Sequence, residues 1–242
     1  MIRIAEGNTA ILYRIDASVQ KHYKIGIQAD AVLREASNQR TADRAGLPVP
    51  RVTNVCPELL MLEMDYVAGQ SLGDIAMKQP DDLPTLFQRA IDVQQTIHHE
   101  DATDLTSMSS RLAYELETNR HLSTSEKCLL MEQLSSFTYV PRLCHGDFHL
   151  FNLIQTEQGD LMILDWADAS SGDPLADVCR SYLLYHLFDS SVAALYLDQF
   201  CVTSHTSRES VLKWLPILVA CRMNETNDET ELAILQSLLR AR

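Results

Sequence analysis

His145-Gly-Asp147-Phe-His149-Leu-Phe-Asn152, then Leu161-Met-Ile-Leu-Asp165-Trp166 and Gly172-Asp173-Pro-Leu-Ala-Asp177, is the stretch that decides how this chain is read. Asp147 and Asn152 stand five apart in a loop, and a short apolar strand then delivers a second carboxylate, Asp165, at its end. A phosphoryl group in transfer needs charge neutralisation and in-line positioning more than covalent help. One Asp to orient an attacking hydroxyl, with an Asn and another Asp to hold magnesium, meets that need.

Outward toward the N-terminus, Ile2–Ala5 and Ala10–Ile15 read as two strands around a turn at Gly7-Asn8. A third strand places Val19, Lys21 and Tyr23 on one face, so Lys21 has apolar neighbours on its own side. The helical pattern Ala31–Ala42 carries a central Glu35. An inward Lys21 paired with Glu35 would fix a lysine on the α- and β-phosphates of a nucleotide; Lys24 with Glu35 is the alternative pairing. The helix stops at Gly46, and Leu47-Pro48-Val49-Pro50 makes an extended connection. Arg51–Val55 and Leu59–Val67 follow as strands. Met64-Asp65-Tyr66-Val67 reads as a hinge whose exposed backbone N–H and C=O groups hydrogen-bond an adenine edge, or equally as a plain buried strand.

Outward toward the C-terminus the pattern is helical from Ser71 on, apart from the opening stretch. The expected helices are Leu83–His98, Leu112–Leu122, Ser125–Phe137 with Ser125 as its cap, Leu175–Leu187, Ser191–Cys201, Ser207–Arg222 and Asn227–Arg240. Strands first and helices afterwards predict an α+β protein of two lobes with a cleft between them. Residues 1–68 would be a small N-lobe, a five-stranded antiparallel sheet with one helix. Residues 69–242 would be a larger, mainly helical C-lobe carrying the catalytic loop and the acceptor site.

The chain of 242 residues is 46% hydrophobic, enough to bury a large core. No apolar run is long enough to span a membrane, and the start lacks the features of a signal peptide, so the expectation is a soluble, cytoplasmic protein with no membrane partner. A formal charge of −13 excludes nucleic acid as a partner, which would require clustered Lys and Arg. Between Glu58 and Asp104 ten carboxylates face only Lys78 and Arg89, a solvated acidic face that also suits a cationic acceptor. The six cysteines are far apart, with no Cys-x-x-Cys pair, and read as buried packing thiols in a reducing compartment. Nothing in the pattern specifies an oligomeric state.

The paired motifs resemble the aminoglycoside phosphotransferase and choline kinase superfamily, kinases of small molecules with a protein-kinase-like fold. His145-Gly-Asp147-x4-Asn152 is similar to that family's catalytic loop, and Leu161–Trp166 followed by Gly172-Asp-Pro-x-x-Asp177 is similar to its metal-binding strand and downstream segment. Arg34-Glu35 through Gly46-Leu-Pro-Val-Pro50 and Ile97-His98 follow the same habit, so the resemblance covers essentially the whole chain. It implies that Asp147 orients the acceptor hydroxyl, that Asn152 and Asp165 hold Mg2+ on ATP, and that Lys21, placed by Glu35, holds the α/β-phosphates. Met64 and Tyr66 would belong to the adenine hinge. Gly7 is the single glycine of the phosphate-covering turn Glu6-Gly7-Asn8-Thr9, where protein kinases have several.

The activity implied is magnesium-dependent transfer of the ATP γ-phosphate to a hydroxyl of a small molecule, aminoglycoside-like or an amino alcohol. Choline, ethanolamine or a sugar is the alternative acceptor, with Tyr182, Tyr185, Tyr196 and Trp214 as candidate walls of a cation cage or, at helical spacing, core residues. A kinase-like module that holds nucleotide without turnover is the reading from another class; Lys21, Asp147, Asn152 and Asp165 are all present, which speaks for catalysis. His145 is expected to brace the loop and His149 to fill it; either Asp173 or Asp177 is a candidate cap for the helix after Pro174, with Asp177 read as mainly structural.

Overall fold

The computed structural model describes residues 1–7 and 9–240. In chain order the elements begin with β1 (Ile2–Glu6), β2 (Ala10–Ile15), β3 (Ser18–Tyr23), α1 (Ala29–Arg44), β4 (Val52–Cys56), β5 (Met61–Asp65), β6 (Gln70–Ser71) and α2 (Leu72–Lys78). Next come α3 (Leu83–His99), α4 (Met108–Thr118), α5 (Thr124–Ser136), β7 (Arg142–Cys144), β8 (Leu153–Gln155), β9 (Leu161–Ile163) and β10 (Ser170–Gly172). The last five are α6 (Pro174–Phe188), α7 (Ser190–Ser204), α8 (Arg208–Leu212), α9 (Leu215–Glu225) and α10 (Glu229–Arg240). The chain forms two compact units: Met1–Asp82 with Leu150–Ala169, and Leu83–His149 with the residues from Ser170 onward.

The first unit contains the expected five-stranded antiparallel sheet, in the order β1-β2-β3-β5-β4. The alternation read on β3 holds. Val19 and Lys21 are buried beneath α1, in a core made with Val32, Ala36, Leu62 and Met64, and Tyr23 packs against it. The α1 helix ends in paired bonds from Gly46 N–H to Asp43 O and from Leu47 N–H to Ala42 O, which satisfy two of its last carbonyls. Its buried face is partly polar, with Glu35, Asn38 and Gln39 among Val32 and Ala36. Most of their polar atoms have partners, Gln39 Oε1 being buried without one among the described residues. Gln39 Nε2 donates to the Pro50 carbonyl at 2.6 Å, and Asn38 Nδ2 to that of Trp166 at 2.9 Å.

A second, three-stranded sheet in the same unit, β6-β8-β9, was apparent from the sequence only in β9, the apolar run before Asp165, because its strands are two or three residues long. The Ile163 N–H donates to the Pro48 carbonyl at 2.8 Å, which ties β9 to the proline-rich connection after α1.

The second unit is mainly helical and differs from expectation at three helices. The α4 helix starts earlier than Leu112 and stops before Leu122. Ser107 accepts the Ser110 N–H to open it, and Asn119 closes it with its side chain on the His121 N–H and the Ala220 carbonyl. The cap of α5 is Ser123, not Ser125: Ser123 Oγ accepts the Glu126 N–H while Glu126 Oε2 accepts the Ser123 N–H, a reciprocal capping box. The single helix expected over Ser207–Arg222 is two, α8 and α9, interrupted at Lys213-Trp214. Pro216 explains the break, since it has no N–H to donate and its ring collides with a continuing turn.

The core of this unit is aromatic. Phe87, Tyr185 and Tyr196 pack edge to face or tilted at centroid separations of 5.0, 5.6 and 5.1 Å. Trp214 is fully buried apart from them, against Phe137 and Tyr139. These residues are therefore core, and no cage is shared by Tyr185, Tyr196 and Trp214.

Not every cysteine is buried as expected. Cys144, Cys179 and Cys221 are, while Cys56 and Cys201 are half-buried and Cys128 is exposed on α5; all six are free. No helix among the described residues is long and apolar enough to cross a membrane.

Candidate active site

In the first unit the structure brings Lys21, Glu35 and Asp165 together. Lys21 is 6% exposed and its Nζ donates to Glu35 Oε1 at 2.8 Å, Glu35 Oε2 at 3.0 Å and Asp165 Oδ1 at 3.0 Å. The alternative pairing does not occur, because Lys24 reaches back to Glu6 at 2.8 Å on the surface. Burial disfavours the Lys21 charge, but Glu35 and Asp165 outweigh it and raise the ammonium pKa above its usual value. Burial also pushes the Glu35 carboxyl up, against the pull of Lys21.

Asp165 stands just past β9 in the left-handed backbone region, with φ of 61°. A non-glycine residue there persists only when its surroundings fix it, and such positions gather at functional sites. Two bonds do the fixing: Asn38 holds the Trp166 carbonyl, and the Leu164 N–H donates to the Asn152 carbonyl at 2.8 Å. The pairing of Leu153 with Ile163 therefore brings Asn152 and Asp165 out at one end of the β8–β9 hairpin. Asn152 closes the 3-10 turn Leu150–Asn152 that leads into β8.

The expected hinge is less open than its sequence suggested. The Asp65 N–H is taken by the Arg51 carbonyl and the Tyr66 N–H by that of Ala17, at 3.0 and 2.9 Å. Met64 turns its side chain into the core, where its Sδ receives Gln39 Nε2, and the Tyr66 ring carries the Arg14 guanidinium 3.9 Å from its centroid. Gly7 closes the first hairpin with its N–H on the Ala10 carbonyl at 2.9 Å. Asn8, the other half of that turn, lies outside the described residues.

In the second unit, Asp147 follows β7 on a loop held from below. His145 is fully buried, and its Nδ1 accepts the Asp147 N–H at 3.3 Å. Asp177, also buried, accepts the Gly146 N–H on Oδ1 at 2.7 Å and His98 Nε2 on Oδ2 at 2.8 Å. An ionised carboxylate can only accept, so His98 Nε2 carries its proton. Burial works to raise the Asp177 carboxyl, and the His98 and Gly146 bonds overcome it to hold the pKa below the usual range. Asp173 plays two parts: Oδ1 caps α6 on the Leu175 N–H, and Oδ2 accepts Trp214 Nε1 at 2.9 Å.

Asp147 itself is partly exposed. His149 Nε2 lies 3.4 Å from its Oδ2. Burial would raise its carboxyl, but His149, then Arg180 and His145, hold it well below the ordinary carboxylate range. It is thus ionised at neutral pH, ready to accept a hydroxyl hydrogen. Burial, with Asp177 and Asp173, pushes the neighbouring Cys144 thiol up, which leaves it a packing residue.

Three supporting residues escaped the sequence reading: Tyr23, whose hydroxyl donates to Glu35 Oε2 at 2.5 Å, Asn38, and Arg180. Two of them carried a usable signal. Tyr23 is two residues past Lys21 on a strand and Asn38 three past Glu35 on a helix, so each shares a face with a residue already singled out. Arg180 had none.

Residues 3–212 match the phosphotransferase enzyme family, APH. The chain belongs to this family. Among curated proteins, a phosphotransferase-family chain such as this is similar to the mouse (Mus musculus) acyl-CoA dehydrogenase family member 10, 30% identical over 183 residues, which are 66% of this chain and 17% of that protein. It is also similar to an amino-acid racemase of Enterococcus faecalis, 29% identical over 119 residues, 47% of this chain and 16% of that one. The chain thus spans about a sixth of the curated relatives it matches.

Solved structures of the same fold include a choline/ethanolamine kinase family protein from Mesorhizobium loti, with TM-score 0.70 and 17% identity over 99% of this chain and 87% of that one. They include the choline kinase LicA from Streptococcus pneumoniae, with TM-score 0.69 and 16% identity over 100% and 93%. A thermostable mutant of the aminoglycoside phosphotransferase APH(4)-Ia, in ternary complex with ADP and hygromycin B, has TM-score 0.72 and 15% identity over 99% and 92%. At such identities the likeness concerns the kinase-like fold.

Proposed function

We propose that this protein transfers the γ-phosphate of ATP to a hydroxyl of a small molecule, with magnesium as the metal. The observation that carries the reading is the buried Lys21 ammonium, held by Glu35 and Asp165. A structural protein gains little from a buried lysine shared by two carboxylates, since desolvation offsets the attraction. A lysine that must meet phosphates needs such an arrangement.

The donor set fits the metal. Asn152 and Asp165 offer hard oxygen donors at one end of a hairpin, and these would hold magnesium together with the nucleotide phosphates. Among the described residues no group of three His, Cys, Asp or Glu side chains is placed to hold an ion. When bound, the metal neutralises charge on the phosphates. Lys21 holds the α- and β-phosphates, Glu35 sets the direction of Lys21, and residues 1–68 serve as the nucleotide lobe. Gly7 contributes backbone contacts, and the run Met64–Val67 faces adenine through groups other than the Asp65 and Tyr66 N–H, which are already used.

Asp147 orients the acceptor hydroxyl and takes its proton as the new O–P bond forms and the bond to the ADP oxygen breaks. A depressed pKa makes it a weak base, which suits a loose transition state where the proton leaves late. The acceptor is an alcohol carrying an amine, in keeping with the acidic run 58–104. The six free thiols and the use of ATP suit a cytoplasmic location.

The test is ATP consumption with magnesium across a panel of aminoglycosides, choline, ethanolamine and sugars, comparing the protein with Asp147→Asn. Turnover with one acceptor class, reduced at least about 100-fold in the variant, is expected. Equal turnover by Asp147→Asn would remove Asp147 from the chemistry, and nucleotide binding without turnover on any acceptor would leave a binding module.

A further inference from the structure

An ammonium group has three hydrogens to give, and in Lys21 each has a carboxylate partner: Glu35 Oε1 at 2.8 Å, Glu35 Oε2 at 3.0 Å and Asp165 Oδ1 at 3.0 Å. On the kinase reading above, on which this inference rests, Lys21 must also meet nucleotide phosphates. Every hydrogen it turns toward a phosphate oxygen is withdrawn from Glu35 or from Asp165. The two carboxylates tolerate this differently. The Asp165 side chain is 41% exposed and can turn to water or a cation, whereas that of Glu35 is 1% exposed. A buried carboxylate that loses a donor and cannot reach water is costly, and α1 would be drawn out of place with it.

Tyr23 supplies the remaining donor. Its hydroxyl lies 2.5 Å from Glu35 Oε2, on the oxygen where the Lys21 contact is the longer of the two. The ring is anchored independently of the nucleotide: Tyr23 pairs with Ala10 across the sheet, its N–H donates to the Leu60 carbonyl at 2.9 Å, and it packs on the cluster of Val19, Val32, Ala36 and Leu62. Burial, reinforced by Glu35, raises the phenol pKa, so the hydroxyl remains a donor at any working pH. Phenylalanine would fill the same space and donate nothing.

We infer that Tyr23 is a positioning residue of the nucleotide site: its hydroxyl keeps the Glu35 carboxylate in place while Lys21 exchanges carboxylate partners for phosphates. Through Glu35, Tyr23 determines how firmly Lys21 is aimed.

The experiment is a double-mutant cycle with Tyr23→Phe, Glu35→Gln and the pair, read as affinity for a non-hydrolysable ATP analogue with magnesium by calorimetry, so that no acceptor is needed. Tyr23→Phe should weaken the analogue about 3- to 10-fold, the selective part of one charge-assisted hydrogen bond, and should do nothing further once Glu35→Gln is present. Rescue comes from the native tyrosine alone; a purely packing role would leave the affinity of Tyr23→Phe unchanged. Unchanged affinity, or an equal loss in both backgrounds, overturns the inference.

Lys21→Ala separates this from failure of the kinase reading. If Lys21→Ala binds the analogue as well as the native protein, or the native protein does not bind it, the reading falls and the inference with it. If Lys21→Ala binds poorly while Tyr23→Phe binds normally, only the inference falls. Should Tyr23→Phe not fold, hydrogen exchange on the native protein decides. Protection of α1 around Glu35 is expected to be retained on adding the analogue, and its loss would overturn the role.

Discussion

Asp177 Oδ1 accepts the Gly146 N–H at 2.7 Å, so a residue in the first turn of α6 fixes the backbone immediately before Asp147. The other oxygen meets His98 at 2.8 Å, and the side chain is fully buried. Replacement by Asn keeps the shape but presents an amide donor to one of two groups that also donate. Asp177→Asn is therefore expected to cost about 1–3 kcal/mol in urea unfolding, the usual penalty for a mismatched buried polar group. Turnover should fall through kcat, while affinity for the ATP analogue, proposed to rest on Lys21, Glu35 and Asp165, stays within about twofold.

The same carboxylate predicts how stability responds to acid. Its folded pKa lies below the ordinary value, so the unfolded chain binds the proton first as pH falls. The contribution is fully present above the unfolded pKa of about 3.9 and is lost as pH drops through the depressed folded value. Glu225, held down by Arg180 and Arg222 against the effect of burial, behaves in the same sense. Stability measured from pH 7 downward should hold to about pH 5 and then decline, and Asp177→Asn should flatten that decline. A decline as steep in the variant as in the native protein would assign the acid sensitivity elsewhere.

Lys21 and Lys24 sit three residues apart with opposite circumstances. Lys21 Nζ is enclosed by Glu35 and Asp165, while Lys24 bonds Glu6 where both side chains are 37% exposed. An exposed pair is worth about 0–1 kcal/mol, so Lys24→Ala should be nearly silent in stability and in nucleotide affinity. Lys21→Ala leaves Glu35 buried with one partner fewer and should both destabilise the fold and weaken the ATP analogue by at least about tenfold. The reverse ranking would relocate the nucleotide lysine by three residues.

What could be read beforehand follows the physics of each element. Lys21 with Glu35, and Asp165 at a strand end, were legible because strand alternation and helical spacing assign faces without knowledge of the rest of the fold. The break at Lys213-Trp214 was signalled by Pro216 and passed over, since the apolar spacing continues across it. Ser123 was hidden by the nearer Ser125, and only the reciprocal bond with Glu126 distinguishes them. The short strands β6, β7, β8 and β10 carry too few residues for a period to show, and β9 was legible only as an apolar run ahead of Asp165. Least legible were polar contacts between segments distant in sequence: Asn38 to Trp166, Asp173 to Trp214, and Arg180 acting on Asp147. No local pattern specifies these, because each is set by where tertiary packing brings the partners.

Gly73 offers a way to disturb the turn Leu150–Asn152, proposed to present Asn152 to magnesium, without touching Asn152 itself. A Cβ built there would stand 2.5 Å from Cγ and Cδ1 of Phe151 and 2.7 Å from Cδ2, closer than van der Waals contact allows. Phe151 immediately precedes Asn152 within the turn Leu150–Asn152, and the Asn152 carbonyl receives the Leu164 N–H beside Asp165. In Gly73→Ala the added methyl improves helix propensity in α2 by about 1 kcal/mol, against an overpacking cost of about 1–3 kcal/mol. The ring is 53% exposed, so it can swing outward and relieve the collision at the expense of the turn. Net stability should therefore fall by no more than about 2 kcal/mol, while the magnesium concentration for half-maximal binding of the ATP analogue rises several-fold. Calorimetric titrations of the analogue at a series of magnesium concentrations read the second quantity directly. A loss of stability with an unaltered magnesium requirement would mean that Asn152 holds its place independently of Phe151.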